Sequence, residues 1–147
     1  MSAAHGELSA LADTTGPLMG LDLGTRTIGV AVSDGLRLTA TALETIRRTK
    51  FTADAARLAE IARGRGISGI VLGMPLHMDG SDGRRAQATR AFARNLSGLL
   101  DLPIAFWDER LSTVAAERAL LEADSSRKRR TEVIDAVAAA YILQGAL

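Results

Sequence analysis

The chain contains no cysteine, which removes disulfides, a thiolate nucleophile and any Cys-based zinc site. It has two histidines, His5 near the start and His77 beside a glycine-rich stretch, too few for a His-rich metal centre. A metal bound here would meet mainly oxygen ligands and belong among the hard ions. No apolar run approaches the ~18 residues that suggest a membrane span, so no membrane partner is expected. The opening MSAAHGELSALADTTGP lacks the basic start and continuous apolar core of a secretory signal. With the missing cysteines, that agrees with a cytoplasmic location. Ser112 and Thr113 have no histidine with which to form a hydrolytic triad.

What is present reads as one globular unit. In 147 residues, 47% hydrophobic and 24% charged, there is enough apolar material for a single core. Residues 1–16 read as a flexible, polar tail and 17–147 as one domain. The formal net charge of +1 does not advertise nucleic-acid binding, but the placement of charge says more. Arg127, Lys128, Arg129 and Arg130 form a compact basic block, and Arg84, Arg85, Arg90 and Arg94 recur along one segment. Each cluster alone reads either as solvated surface or as a set of phosphate contacts.

Along the chain, PLMGLDLG and TIGVAVSDG read as two strands joined by a tight turn at Gly24-Thr25-Arg26, with LRLTATALETI as a third strand of a meander. FTADAARLAEIARGRG has helical periodicity and ISGIVLGMP is a buried strand ended by Pro75. RRAQATRAFARNLSGLL is a helix with Ala88, Ala91, Phe92, Leu96, Leu99 and Leu100 inward, and LPIAFW is a fifth strand closing in DER. STVAAERALLEA opens a helix at an N-cap, Ser112; DSSRKRR is a loop and TEVIDAVAAAYILQGAL a last helix. Strands that first follow one another directly and then alternate with helices predict an α/β domain with a mixed sheet.

The anomaly is Asp22. It falls among Gly20 and Gly24 on the small-residue face of an otherwise buried strand, where a ligand or another backbone can come close. An isolated carboxylate there costs several kcal/mol unless something pairs with it. Asp108 and Glu109 end the fifth strand, where ligand sites of α/β sheets gather. Asp135 shares a stripe of the last helix with Thr131, Ala138, Ala139 and Ile142, on a helix with almost no polar face. A polar loop explains Asp108 or Glu109 equally well, and a salt bridge would explain Asp135. Taken together, carboxylates on apolar elements without comparably placed basic partners repel one another unless a divalent cation neutralises them. Oxygen ligation selects Mg²⁺ or Mn²⁺, as one or two ions. The basic block ahead of the last helix opposes its macrodipole and is better explained by an anion such as a nucleic-acid phosphate.

The segments MGLDLGTRTIGVAVSD, IVLGMPLHMDGSDGRRAQATRAFARNL, FWDERLSTVAAERAL and RKRRTEVIDAVAAAYILQGAL, in that order, resemble the YqgF/RuvX family. They cover almost everything from Met19 onward. The resemblance implies an RNase H-like fold: a five-stranded mixed sheet, an antiparallel three-strand meander plus two parallel strands, flanked by helices. It implies a nuclease of the pre-16S rRNA 5′ end, active in ribosome biogenesis with precursor rRNA or ribosomal precursor particles as partners. It places Asp22 and Asp135 in the acidic site, with DER supplying another acid. Glu109 is the choice there for its reach, and Asp108 stays open, with a turn-capping role as its alternative.

Three other readings stand beside it. DLGTRTIGVAV also resembles the phosphate loop of the actin, sugar-kinase and Hsp70 ATPases, which close two such domains around ATP. A non-catalytic RNA-binding assembly factor would keep the fold and the basic surface. A resolvase of four-way DNA junctions would use the same acids on structured DNA.

Overall fold

Asp22 owes its position to two alternating strands that meet at the Gly24 turn. The computed structural model describes residues 5–6, 8–76, 79–80, 83–111 and 127–147, with only the backbone at 5–6 and 127–133. Its strands are β1 (His5–Gly6), β2 (Leu18–Leu23), β3 (Thr27–Ser33), β4 (Ala40–Arg47), β5 (Gly69–Met74) and β6 (Ile104–Asp108). Its helices are α1 (Phe51–Arg65), α2 (Arg84–Ser97) and α3 (Arg127–Ala146). β2, β3 and β4 form the antiparallel meander. β5 lies parallel along the other side of β2, and β6 parallel along β5. The five expected strands are thus all present in the expected senses, and β1 adds a short sixth at the β6 edge, giving the order β1-β6-β5-β2-β3-β4.

Strands buried on both faces need two different layers over them. Met19, Leu21, Ile28, Val30, Ile70 and Leu72 face α1 and α2, where Leu58, Ile61, Phe92 and Leu96 meet them. Burying side chains of this size contributes roughly 1.5–3 kcal/mol each. The opposite face carries Leu18, Ala31, Val71 and Ala105 against Ala138, Ala139, Ile142 and Leu143 of α3. That face is made of small residues because the helix comes very close. A Cβ on Gly20 would lie 2.7 Å from the Cβ of Leu143, and one on Gly29 only 1.9 Å from the carbonyl oxygen of Asp135. α1 stops at Gly66, whose φ of 63° suits glycine far better than other residues.

The sequence expectation needs correcting at three places. Part of the segment expected as a flexible tail is packed. A short 3-10 turn, Leu8–Leu11, buries Leu11 to 5% exposure. Arg37, at φ 59°, fastens the segment by donating to Gly16 O at 2.8 Å, Thr14 Oγ1 at 2.7 Å and Ser68 Oγ at 3.1 Å. α2 ends at Ser97, so Leu99 never comes round to the core and stays 61% exposed; Ala88 is also exposed, and Ala86, Thr89 and Ala93 line the inner side instead. Arg127 to Arg130, expected in a loop, are the first turn of α3, in keeping with the good helix propensity of Arg and Lys. The helix expected from Ser112 and the loop residue His77 lie outside the described residues. Among the described residues, no helix is long and apolar enough to cross a membrane.

Candidate active site

Asp22 is 5% exposed, near the end of β2 and on the face that α3 covers. Both of its neighbours across the sheet are glycines. Gly29 pairs with it on β3. On β5, the register that sets Leu21 beside Leu72 brings Gly73 next to Asp22 one residue on. Each glycine is covered by another of the candidate acids. The backbone of Asp135 presses on Gly29, and the carboxylate of Glu109 lies over Gly73, with Oε1 2.7 Å from where a Cβ would stand. The missing side chains on either side of Asp22 therefore let the backbone of Asp135 approach at Gly29 and the carboxylate of Glu109 at Gly73.

Local structure explains how the other two acids get there. Asp135 sits half-buried on α3, and its Oδ2 accepts a hydrogen bond from Thr27 Oγ1 at 2.6 Å. Glu109 leaves β6 in a short 3-10 turn, Glu109–Leu111, on the side that Trp107 and Ala105 share with α3. Asp108 does not join them. It has the parity of Ile104 and Phe106, which face α1 and α2. It accepts from the backbone N–H of Arg110 at 3.0 Å, from Arg110 Nε at 3.0 Å and from Arg110 Nη2 at 2.5 Å. Those side-chain hydrogen bonds hold its carboxyl below the usual carboxylate range, outweighing the burial that pushes it up.

The donors of Asp22, Glu109 and Asp135 suit a hard divalent ion in kind: all are oxygens, on one face and at one end of the sheet, where the two glycines allow α3 and the Glu109 side chain to come close. Among the described residues, no three acids stand at metal-holding distance of one point. The trio is arranged around Asp22 rather than closed upon a centre.

Arginines occupy the same rim. Arg84 and Arg85 open α2, both exposed, and Arg85 Nη2 donates to Leu23 O at 3.4 Å. Arg48, just past β4, was missed in the sequence; it donates through Nη1 to Gly24 O at 2.6 Å and stacks 5.7 Å from the ring centre of Phe92. Two guanidinium groups thus grip the two carbonyls that follow Asp22. Among the described residues neither meets a carboxylate, whereas Arg57 is paired with Glu44 and Glu60. A signal for Arg48 did exist, the RRTK run directly behind a strand. Thr27 was also missed, since a hydroxyl opening a strand after a tight turn is too common to single out. The side chains of Arg127, Lys128, Arg129 and Arg130 lie outside the described residues; their backbone opens the helix that carries Asp135.

A mixed sheet with helices on both faces, carrying acids at the ends of central strands and on a crossing helix, defines an RNase H-like protein. The fold agrees with the structure described as "T. thermophilus RuvC in complex with Holliday junction substrate": TM-score 0.52 at 14% identity, over 87% of this chain and 90% of that one. The family profile described as "RuvX: Holliday junction resolvase" matches residues 16–147, and the chain belongs to that family. A Cereibacter sphaeroides protein named "Putative pre-16S rRNA nuclease" is 72% identical over 141 residues, 96% of this chain and 88% of its own length. A Paracoccus denitrificans protein of the same name is 72% identical over 133 residues, 90% of this chain and 84% of its own.

Proposed function

We propose that this chain is a metal-dependent endonuclease that hydrolyses phosphodiester bonds in the 5′-end maturation of pre-16S rRNA, in the cytoplasm. The observation that carries the reading is the pair of glycines flanking Asp22, one covered by Asp135 and the other by Glu109. Packing alone does not call for three carboxylates around one buried strand end. Asp22, Glu109 and Asp135 would hold one or two Mg²⁺ or Mn²⁺ ions, which when bound supply an activated water and stabilise the leaving oxygen.

The chain's own groups do the rest. Acids gathered for a metal repel the phosphates of a substrate, and the arginines at the same rim offset that repulsion. Arg85, held against Leu23 O, stands next to the strand end that carries Asp22. Arg84 at the start of α2 and Arg127, Lys128, Arg129 and Arg130 in the first turn of α3 would neutralise backbone phosphates of precursor rRNA, free or within a ribosomal precursor particle.

The name of the family, Holliday junction resolvase, favours a second reading, cleavage of a four-way DNA junction. Purified protein with Mg²⁺ or Mn²⁺ is offered a precursor rRNA 5′ leader and a four-way junction in parallel, beside the Asp22→Asn and Asp135→Asn variants. Cleavage of the leader, abolished in both variants, is the expected result. Cleavage of the junction alone transfers the function to DNA. Tight RNA binding without cleavage, unchanged in the Asn variants, makes the protein a non-catalytic assembly factor.

A further inference from the structure

We infer that Thr27 is a positioning residue for Asp135: its hydroxyl locks one carboxylate oxygen and thereby aims the other at the space beside Asp22. The inference rests on the metal-dependent reading of the site. The Thr27 Oγ1 to Asp135 Oδ2 separation of 2.6 Å is that of a charge-assisted O–H···O⁻ bond, which is shorter and stronger than a neutral one. With Oδ2 held, the torsion of the carboxylate is set, and Oδ1 is the oxygen left to a ligand.

Three features make the hydroxyl a fixed point. Thr27 is β-branched, so its χ1 has few states, and it is the first residue of β3. Gly24 donates its N–H to Thr27 O at 2.9 Å, and a side chain there would stand 3.5 Å from Thr27 Oγ1, so the turn closes directly over this residue. Two residues along the same face, Gly29 receives the backbone of Asp135. One strand therefore fixes Asp135 twice, at its main chain through Gly29 and at its side chain through Thr27. Loss of an outer partner of this kind lowers metal affinity or activity by ~10–100-fold in known metal sites, because the ligand must then be oriented at the moment of binding.

The test compares Thr27→Val, which keeps the shape and removes the hydroxyl, with Thr27→Ser, which keeps the hydroxyl, and with Asp135→Asn. Two quantities are read on each: the Mn²⁺ concentration that produces half of the metal-induced rise in melting temperature, and kcat and KM on the RNA leader. Thr27→Val should shift the Mn²⁺ midpoint upward by ~10–100-fold and lower kcat with KM unchanged, while Thr27→Ser restores both. If Thr27→Val binds Mn²⁺ and cleaves like the wild type while Asp135→Asn is inactive, the positioning role is wrong and the site reading stands. If Asp135→Asn binds Mn²⁺ and cleaves normally, the site reading itself fails. Should Thr27→Val not fold, Thr27→Ala and Thr27→Ser decide in the same way, and a Ser variant as impaired as Ala overturns the inference.

Discussion

Gly29→Ala is the smallest change that should dislodge the candidate site. The added methyl would stand 1.9 Å from the carbonyl oxygen of Asp135 and 2.3 Å from its carbonyl carbon, whereas ordinary contact begins at 3.4 Å. Going from 1.9 to 3.4 Å takes about 1.5 Å of retreat by α3, in a close-packed layer that cannot absorb it locally. Overpacking of this kind costs ~1–3 kcal/mol. The Thr27–Asp135 bond, 2.6 Å long, does not survive such a shift, and a hydrogen bond to a charged group adds ~1.5–3 kcal/mol. For a chain of this size a loss of several kcal/mol lowers the melting temperature by roughly 10 °C. A misplacement beyond 1 Å at a ligand should cost ~10²-fold in cleavage. Differential scanning fluorimetry on metal-free protein and a cleavage time course measure both. Gly64→Ala is the control: it lies in α1 with nothing within 4 Å, and alanine there should stabilise by ~0.5–1 kcal/mol. A Gly29→Ala protein that melts and cleaves like the wild type would refute the claim that α3 rests on this glycine.

Glu109→Gln should abolish metal-dependent cleavage with little change in melting, whereas Asp108→Asn should leave cleavage in place and lower stability by ~1 kcal/mol or less, as a partly exposed ion pair implies. Because the Arg110 hydrogen bonds depress the Asp108 carboxyl, its contribution is present above the unfolded value of about 3.9 and fades as pH falls through the folded one. The melting difference between wild type and Asp108→Asn should therefore hold from pH 7 to about pH 5 and vanish well below about pH 4; a difference that grows on acidification would contradict the geometry. Replacing Arg84 and Arg85 by alanine should weaken RNA binding and reduce the slope of log affinity against log salt by about one per lost phosphate contact. An unchanged slope would return both residues to ordinary surface charge.

Much of this was legible locally. The alternation of β2 and β3 put Asp22 on the small-residue face, and the run of small and apolar residues in the last helix turned Asp135 inward. The choice between Asp108 and Glu109 could not be made from periodicity, because β6 is covered on both faces and both parities carry apolar residues. In the structure the separation comes from Gly73, a residue of the neighbouring strand that contributes by lacking a side chain under Glu109. Strand neighbours of that kind follow from the crossover through α2, which no local pattern encodes. The N-terminal segment was misjudged for a similar reason. Leu8 and Leu11 are scattered among small and polar residues, and the slot for Leu11 depends on a bare Gly69, with a would-be Cβ 2.6 Å from Leu11 Cδ2.

The bond between Thr27 and Asp135 joins residues 108 positions apart. During synthesis the sheet strands emerge from the ribosome first and the helix bearing Asp135 follows them all, so the fold closes from its N-terminal side. Until that helix docks, Gly20, Gly29 and Ala31 form a bare, shallow trough in which Asp22 has lost one of its two acidic neighbours. On this geometry the trio is complete only once that helix has docked, however complete the sheet. The sheet can therefore form before the site exists, and a chain that has not yet docked its last helix holds two of the three acids and no more.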